Sequence, residues 1–248
     1  MKKVFDAKYK DFEFEINSFI EAYDSSGEQI KDERNKLKLF RLNNEILNIK
    51  SFKIPNLINQ IVYKCFRKSK AQRSFEHAIK LLKFGIGTPQ PVAYYESSSI
   101  FFFKRSYYIS KQLEYDLTYR ELIKDFDYPD HEKILRAFIR FTFNLHEKGI
   151  HFLDHSPGNT LIKLNNGDYK FYLVDLNRMH FETMDFVVRI KNFSRLTKHE
   201  SMVEVMSDEY AKCINKDYDI VFNLMWKSTK SFRNKIERKK RLKSLFKF

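Results

Sequence analysis

The stretch GIHFLDHSPGNTLI, Gly149 to Ile162, carries an Asp and an Asn five positions apart, Asp154 and Asn159, around a Ser-Pro-Gly turn, and it uses two of the chain's six glycines. Just before it, HEKILRAFIRFTFNLHEKG sets Ile134, Phe138, Phe141 and Leu145 on one helical face and ends at Gly149, a residue suited to the left-handed position that closes a helix. Just after it, TLIKLNNGDYKFYLVD reads as a hairpin, because Asn166-Gly167 supplies the positive φ values of a type I′ turn between two alternating runs. The second strand of that hairpin delivers Asp175 at its end. Either Asp154 or Asn159 alone would be read as an Asx turn or a backbone cap. The helix before, the hairpin after and the terminal Asp175 make a functional loop the better reading.

That order resembles the catalytic loop and metal-binding segment of the protein-kinase-like fold, with Asp154, Pro157, Asn159 and Leu161 in the pattern D-x-x-P-x-N-x-L. Phosphoryl transfer accounts for the residue types. An acceptor hydroxyl must be held in line and lose its proton, which suits the carboxylate of Asp154; an amide oxygen and a second carboxylate, Asn159 and Asp175, suit Mg²⁺ bound against the phosphates of ATP. His146, His151 and His155 crowd the same stretch without a ligand spacing that implies zinc, and are read as structural or substrate-side.

The first part of the chain should then hold the nucleotide. Residues 19 to 53 contain apolar and aromatic runs broken at Ser25-Ser26-Gly27 and Asn43-Asn44, which predicts three antiparallel strands, the third from Glu45 to Lys53. After a connection containing Pro55, SKAQRSFEHAIKLLKFG predicts a helix with Ala71, Phe75, Ala78 and Leu82 on one face, Ser69 as N-cap and Gly85 as its stop. GTPQPVAYYE and SIFFFKRSYYISKQL predict two further strands. Lys50 on the third strand and Glu76 in the helix follow the order of the kinase nucleotide lysine and its acidic partner. Lys53 competes with Lys50; strand alternation puts the two on opposite faces, and Lys50 is favoured because it ends the more continuous apolar run. Gly27, at the tip of the first hairpin, is where a phosphate-covering loop belongs, although no GxGxxG is present. The expected fold is α+β and bilobal: an N-lobe of antiparallel sheet plus one helix over 1–112, a mainly helical C-lobe over 113–226, and a basic C-terminal tail over 227–248.

Departures from the protein kinases narrow the activity. Phe152 and Leu153 stand where the His and Arg of "HRD" would be, "DFG" is Asp175-Leu176-Asn177, and no "APE" segment follows. Peptide phosphorylation loses support, and a small-molecule acceptor gains it. GIHFLDHSPGNTLI and YLVDLNRM, preceded by NIKSFK, SKAQRSFEHAIKLL and GIGTPQPVAYYE, resemble the bacterial lipopolysaccharide kinases that phosphorylate inner-core sugars, Kdo or heptose, on lipid A. That resemblance runs over roughly residues 20 to 200. It implies ATP and Mg²⁺ as cofactors, a Kdo- or heptose-bearing lipid A as acceptor, with Kdo favoured, and work at the cytoplasmic face of the inner membrane. An atypical protein kinase and a non-catalytic basic binder are the rival readings; the missing "APE" weighs against the first, and the joint presence of Asp154, Asn159 and Asp175 against the second.

Charge and cysteine content bear on where such an enzyme works. From Lys227 to Phe248 there are ten Lys or Arg and one acid, so the tail holds nine of the fourteen net positive charges. Phe232, Ile236, Leu242, Leu245, Phe246 and Phe248 are interspersed with the bases, which suits a basic amphipathic helix on an anionic membrane surface; a solvated terminus and nucleic-acid binding are the alternatives. Arg67, Lys68, Lys70 and Arg73 gather at a helix N-terminus, where cations are unfavourable unless they meet anions. Two cysteines and no apolar leader predict a cytoplasmic protein, peripheral on the inner membrane, with no protein partner evident.

Overall fold

The computed structural model describes residues 1–30, 36–54, 67–98, 103–165 and 167–245. The Pro55 connection, Asn166 and the tail's Phe246 and Phe248 lie outside them. The chain forms two compact units: Met1–Glu114 together with Asp175–Arg178, and Tyr115–Val174 together with Met179–Phe248.

The first unit is built on a six-stranded antiparallel sheet: β1 (Lys2–Phe5), β2 (Glu28–Ile30), β3 (Lys36–Leu42), β4 (Glu45–Phe52), β5 (Pro91–Ser98) and β6 (Phe103–Lys111), in the order β1-β5-β6-β4-β3-β2. Leu42 pairs with Glu45, so the β3–β4 turn is Asn43-Asn44, with Asn43 at φ 51°. Alternation divides the sheet's two faces. Phe40, Leu42, Leu47, Ile49, Tyr95, Tyr107 and Ile109 join Ile16, Ile20 and Tyr23 in one core, while Phe52 and Tyr94 pack with Ala71 and Phe75 in another.

Among the described residues two α-helices serve those cores rather than the single one expected. The first strand anticipated from residue 19 is replaced by α1 (Glu13–Glu21). Phe12, Ile16, Phe19, Ile20 and Tyr23 recur at helical spacing, a pattern that a reading begun at residue 19 cuts in half. The three-strand prediction is corrected accordingly: the strands are β2, β3 and β4, and the break at Ser25-Ser26-Gly27 separates helix from strand. Gly27 is therefore not at a hairpin tip. A Cβ there would lie 2.6 Å from the Phe40 ring, so the glycine lets the chain pass over that side chain.

α2 (Lys70–Lys83) forms as expected. Ser69 caps it by accepting the Gln72 amide at 3.0 Å. Its end is a Schellman motif: Gly85 has φ +69°, the Ile86 amide donates to the Leu81 carbonyl at 2.9 Å and the Gly85 amide to Leu82 at 3.0 Å. Leu81 takes the last buried place on the face, and Leu82 is 38% exposed.

The second unit is mainly helical: α3 (Tyr119–Lys124), α4 (His131–Glu147), α5 (Phe186–Asn192), α6 (Glu200–Ile214) and α7 (Tyr218–Leu245). Short strands join them: β7 (Leu117–Thr118), β8 (Ile150–Phe152), β9 (Thr160–Asn165), β10 (Asp168–Leu173) and β11 (Met179–Phe181). β9 and β10 are the expected hairpin, Asn165 opposite Asp168 with Gly167 at φ 92° between them. The core gathers Ile134, Leu135, Phe138 and Ile139 of α4 with Met206 and Tyr210 of α6 and Val221 and Met225 of α7. The tail boundary at 227 falls inside α7. Val221, Met225 and Thr229 are buried at intervals of four, and from Asn234 to Ser244 every residue is exposed.

Candidate active site

In the helical unit, α4 delivers the chain to the loop through Gly149, whose φ of +65° closes the helix and which approaches the Glu182 backbone closely enough that a Cβ would sit 3.1 Å from its carbonyl. β8 pairs with β11, and Asp154 follows two residues later. The turn Pro157–Asn159 is a single 3-10 turn with Pro at its start, and it brings Asn159 back so that its side-chain amide donates to the Asp154 carbonyl at 2.8 Å. The Val174 amide donates to the Asn159 carbonyl at 3.0 Å, tying the loop to the end of β10. Asp154 and Asn159 are thus brought together. The amide oxygen of Asn159 has no protein partner among the described residues, which leaves a hard oxygen donor of the kind Mg²⁺ takes.

Two residues that sequence reasoning missed hold this loop from the end of α5 and the turn that follows it. Arg195 Nη2 lies 2.7 Å from Asp154 Oδ1, and its Nη1 donates to the Leu153 carbonyl at 3.0 Å. Asn192 Nδ2 donates to the Phe152 carbonyl at 2.9 Å. Where the "HRD" pattern would place an Arg before the Asp, Leu153 stands, and a cation reaches the carboxylate from forty-one residues downstream. No spacing in the sequence announces it.

Asn192 also gathers the buried histidines. Its Oδ1 accepts from His146 Nε2 at 3.3 Å and from His155 Nδ1 at 3.2 Å, while His146 Nδ1 accepts from the Tyr210 hydroxyl at 2.8 Å. One amide oxygen serving both rings requires each to carry its proton on the nitrogen facing Asn192. Burial pushes His155 down to about 4 and His146 down to about 3, so both are neutral struts of the loop.

In the sheet unit, Lys50 Nζ lies 3.0 Å from Asp175 Oδ1, with the lysine side chain 13% exposed. Asn177 Nδ2 donates to the same oxygen at 2.7 Å, leaving Oδ2 as a second hard donor. Asp175 has φ 58°, a left-handed conformation that Asp tolerates better than most residues. α2 holds the backbone that follows. Arg73 Nη1 donates to the Asn177 carbonyl at 2.7 Å, and His77 Nδ1 lies 2.7 Å from the Leu176 carbonyl.

Lys50 and Phe52 share a face of β4, Nζ standing 5.6 Å over the Phe52 ring, whereas Lys53 is exposed beyond the strand's end. Glu76 is not the partner of Lys50. It takes Lys68 Nζ at 2.8 Å and Gln72 Nε2 at 2.9 Å, because the lysine preceding the helix and the glutamine one turn back are nearer in sequence. Lys68 and Arg73, two of the bases gathered at this helix start, thus have partners within the unit.

The fold is that of a protein-kinase-like phosphotransferase. The chain is similar, over 96% of its own length and 99% of the other's, to "WaaP in complex with acyl carrier protein", at a TM-score of 0.65 and 14% identity. The Mycobacterium tuberculosis PknI kinase domain aligns over 77% of this chain and 74% of its own, with a TM-score of 0.44 and 12% identity. No curated protein matches. The family match is the more specific finding: the sequence profile of the lipopolysaccharide kinase (Kdo/WaaP) family covers residues 54–217, and the chain belongs to that family.

Proposed function

We propose that this chain transfers the terminal phosphate of ATP, with Mg²⁺, to a hydroxyl of an inner-core sugar on lipid A. Kdo is set ahead of heptose on the family resemblance alone. The observation that carries the reading is the 3.0 Å contact of Lys50 with Asp175, a cation for phosphate beside a carboxylate for metal, between two residues the sequence had singled out separately, one on the third strand and one at the end of the hairpin. Asp154 would orient the sugar hydroxyl and take its proton, with Arg195 fixing one carboxylate oxygen and leaving the other for the acceptor. Asn159 and Asp175 would hold the metal, which when bound neutralises the charge gathering on the transferred phosphoryl group. Lys50 would meet the nucleotide phosphates; among the described residues Glu76 and Gly27 have no contact that ties them to that task. Purified protein incubated with ATP, Mg²⁺ and either Kdo-lipid A or heptosylated lipid A, followed by mass spectrometry, tests both the activity and the sugar; no added phosphate on either acceptor would refute it.

The acceptor and its bilayer are anionic, and α7 offers charge to match. Between Asn234 and Leu245 lie six bases and one acid. At 100° per residue Lys235, Arg238, Lys239, Lys240 and Arg241 point to all sides of the helix, so the contact would be electrostatic more than amphipathic. Lys227, Lys230, Lys235, Arg238 and Lys239 line a hollow of about 650 Å³ along its flank. Among the described residues no helix is long and apolar enough to cross a membrane. Residence on the cytoplasmic face of the inner membrane is thus part of the proposal. A protein partner enters only through the similar WaaP, solved with an acyl carrier protein, and a pull-down with purified acyl carrier protein tests it here.

A further inference from the structure

We infer that the β8·β11 ribbon carries a site for a divalent transition cation of the Zn²⁺, Co²⁺ or Ni²⁺ class, formed by His151, His180 and Glu182. His151 and His180 are directly opposite each other in the antiparallel pair, so both imidazoles rise from one face of the ribbon, their ring centroids 6.1 Å apart. Glu182 stands two residues past His180 and so on the same side. Its position is fixed by backbone, since its amide donates to the Gly149 carbonyl at 2.8 Å and continues the ladder beyond β11. His180 Nδ1 and Glu182 Oε1 are already 3.2 Å apart. One ligand atom from each of the three residues lies within 4.8 Å of the others. Ligands ~2.1 Å from a tetrahedral ion stand ~3.4 Å from one another, so side-chain rotation of about an ångström closes the set with no backbone change.

The donor chemistry selects the class of ion. Two imidazole nitrogens and one carboxylate oxygen suit borderline transition metals, whereas Mg²⁺ prefers an all-oxygen shell and gives up its waters reluctantly. Burial and the neighbouring His180 keep His151 below the usual histidine range, which favours the lone pair a metal needs. The site is thus chemically separate from Asn159 and Asp175, and it stands whether or not the sugar-kinase reading does. Its occupant would tie together two strands twenty-nine residues apart, one running directly into Asp154 and the other leaving the Asp175 segment.

The test uses the untagged full chain, stripped with a chelator and titrated with Co²⁺ in the presence of excess Mg²⁺. Visible d–d absorption reports the coordination, and Zn²⁺ is then added as competitor. The expected result is one Co²⁺ per chain, displaced by Zn²⁺ and unaffected by Mg²⁺, with a rise in Tm. His180→Ala and Glu182→Gln, both at exposed positions, should each weaken binding by more than about tenfold while the circular dichroism is unchanged. No saturable Co²⁺ spectrum in the unsubstituted protein overturns the site. Equal binding by His180→Ala overturns the assignment of its ligands.

Discussion

Asp154 is held by one oxygen, and that divides the roles at the loop. Asp154→Asn should abolish phosphate transfer while leaving nucleotide affinity nearly intact, whereas Asp175→Asn should weaken Mg²⁺-nucleotide binding itself; parallel binding and turnover assays separate the two. Lys50→Met should remove activity or raise the ATP requirement, and Lys53→Met, at an exposed position past β4, should do little. Arg195→Lys keeps a charge but cannot span both the Asp154 carboxylate and the Leu153 carbonyl, so kcat should fall roughly tenfold or more with the KM for ATP little changed. An unchanged kcat would mean that Asn192 and the buried histidines suffice to hold the loop. Asp154, Asn159 and Asp175 were legible in the sequence because a turn, a hairpin and a helix stop lie within one short stretch and constrain one another. Arg195, Asn192, Arg73 and His77 were not, because each meets its partner through tertiary packing and has only its type to announce it.

Elements were most readable where a local rule closes both ends. α2 has Ser69 at its start and Gly85 at its stop, and it forms between them; Ser69→Ala should cost about 1 kcal/mol, a Tm loss of roughly 2–4 °C measurable by calorimetry. The β9–β10 hairpin is specified the same way by its two-residue turn. α1 escaped because its start has no side-chain cap and Phe12 is not a capping residue, so its only signal is the spacing of Ile16, Phe19, Ile20 and Tyr23. Gly27 misled for a related reason. A lone glycine between apolar runs suggests a turn equally well whether it closes a hairpin or makes room for a ring, and Phe40, thirteen positions on, decides which.

For the whole molecule, the buried histidines set a pH dependence of stability. His146 and His155 titrate near 6.5 when unfolded but near 3 and 4 when folded, so between those values the unfolded chain binds more protons. Stability should be complete above about pH 6.5 and fall as the pH drops toward 4. Thermal melts across that range check it, and His155→Gln should flatten the slope. The tail calls for a cut that spares the core: Thr229 is buried and Phe232 stacks on Arg195 at 5.6 Å, so removing everything after Met225 would strip packing near the loop. Ending the chain at Arg233 keeps Val221, Met225, Thr229 and Phe232, and the described residues it removes from Asn234 to Ser244 are all exposed. That protein should fold, phosphorylate a soluble acceptor and lose salt-sensitive sedimentation with anionic vesicles. Undiminished sedimentation would remove the part of α7 beyond Arg233 as the membrane contact.

The four residues Asp175–Arg178 belong to the sheet unit, although the chain on both sides of them belongs to the helical one. On the ribosome this imposes an order. When the first 114 residues have emerged, the sheet can assemble, but the Asp175 carboxylate that meets Lys50 and the Asn177 and Leu176 carbonyls that meet Arg73 and His77 have not yet been made. Those arrive only after α4, the Asp154 loop and the β9–β10 hairpin have been synthesised. The nascent sheet unit therefore waits, with Lys50 still lacking Asp175, for about sixty more residues, several seconds at usual rates of elongation. A fragment ended at Glu114 would be arrested in that interval, and a chaperone that acts on this chain would find its client there.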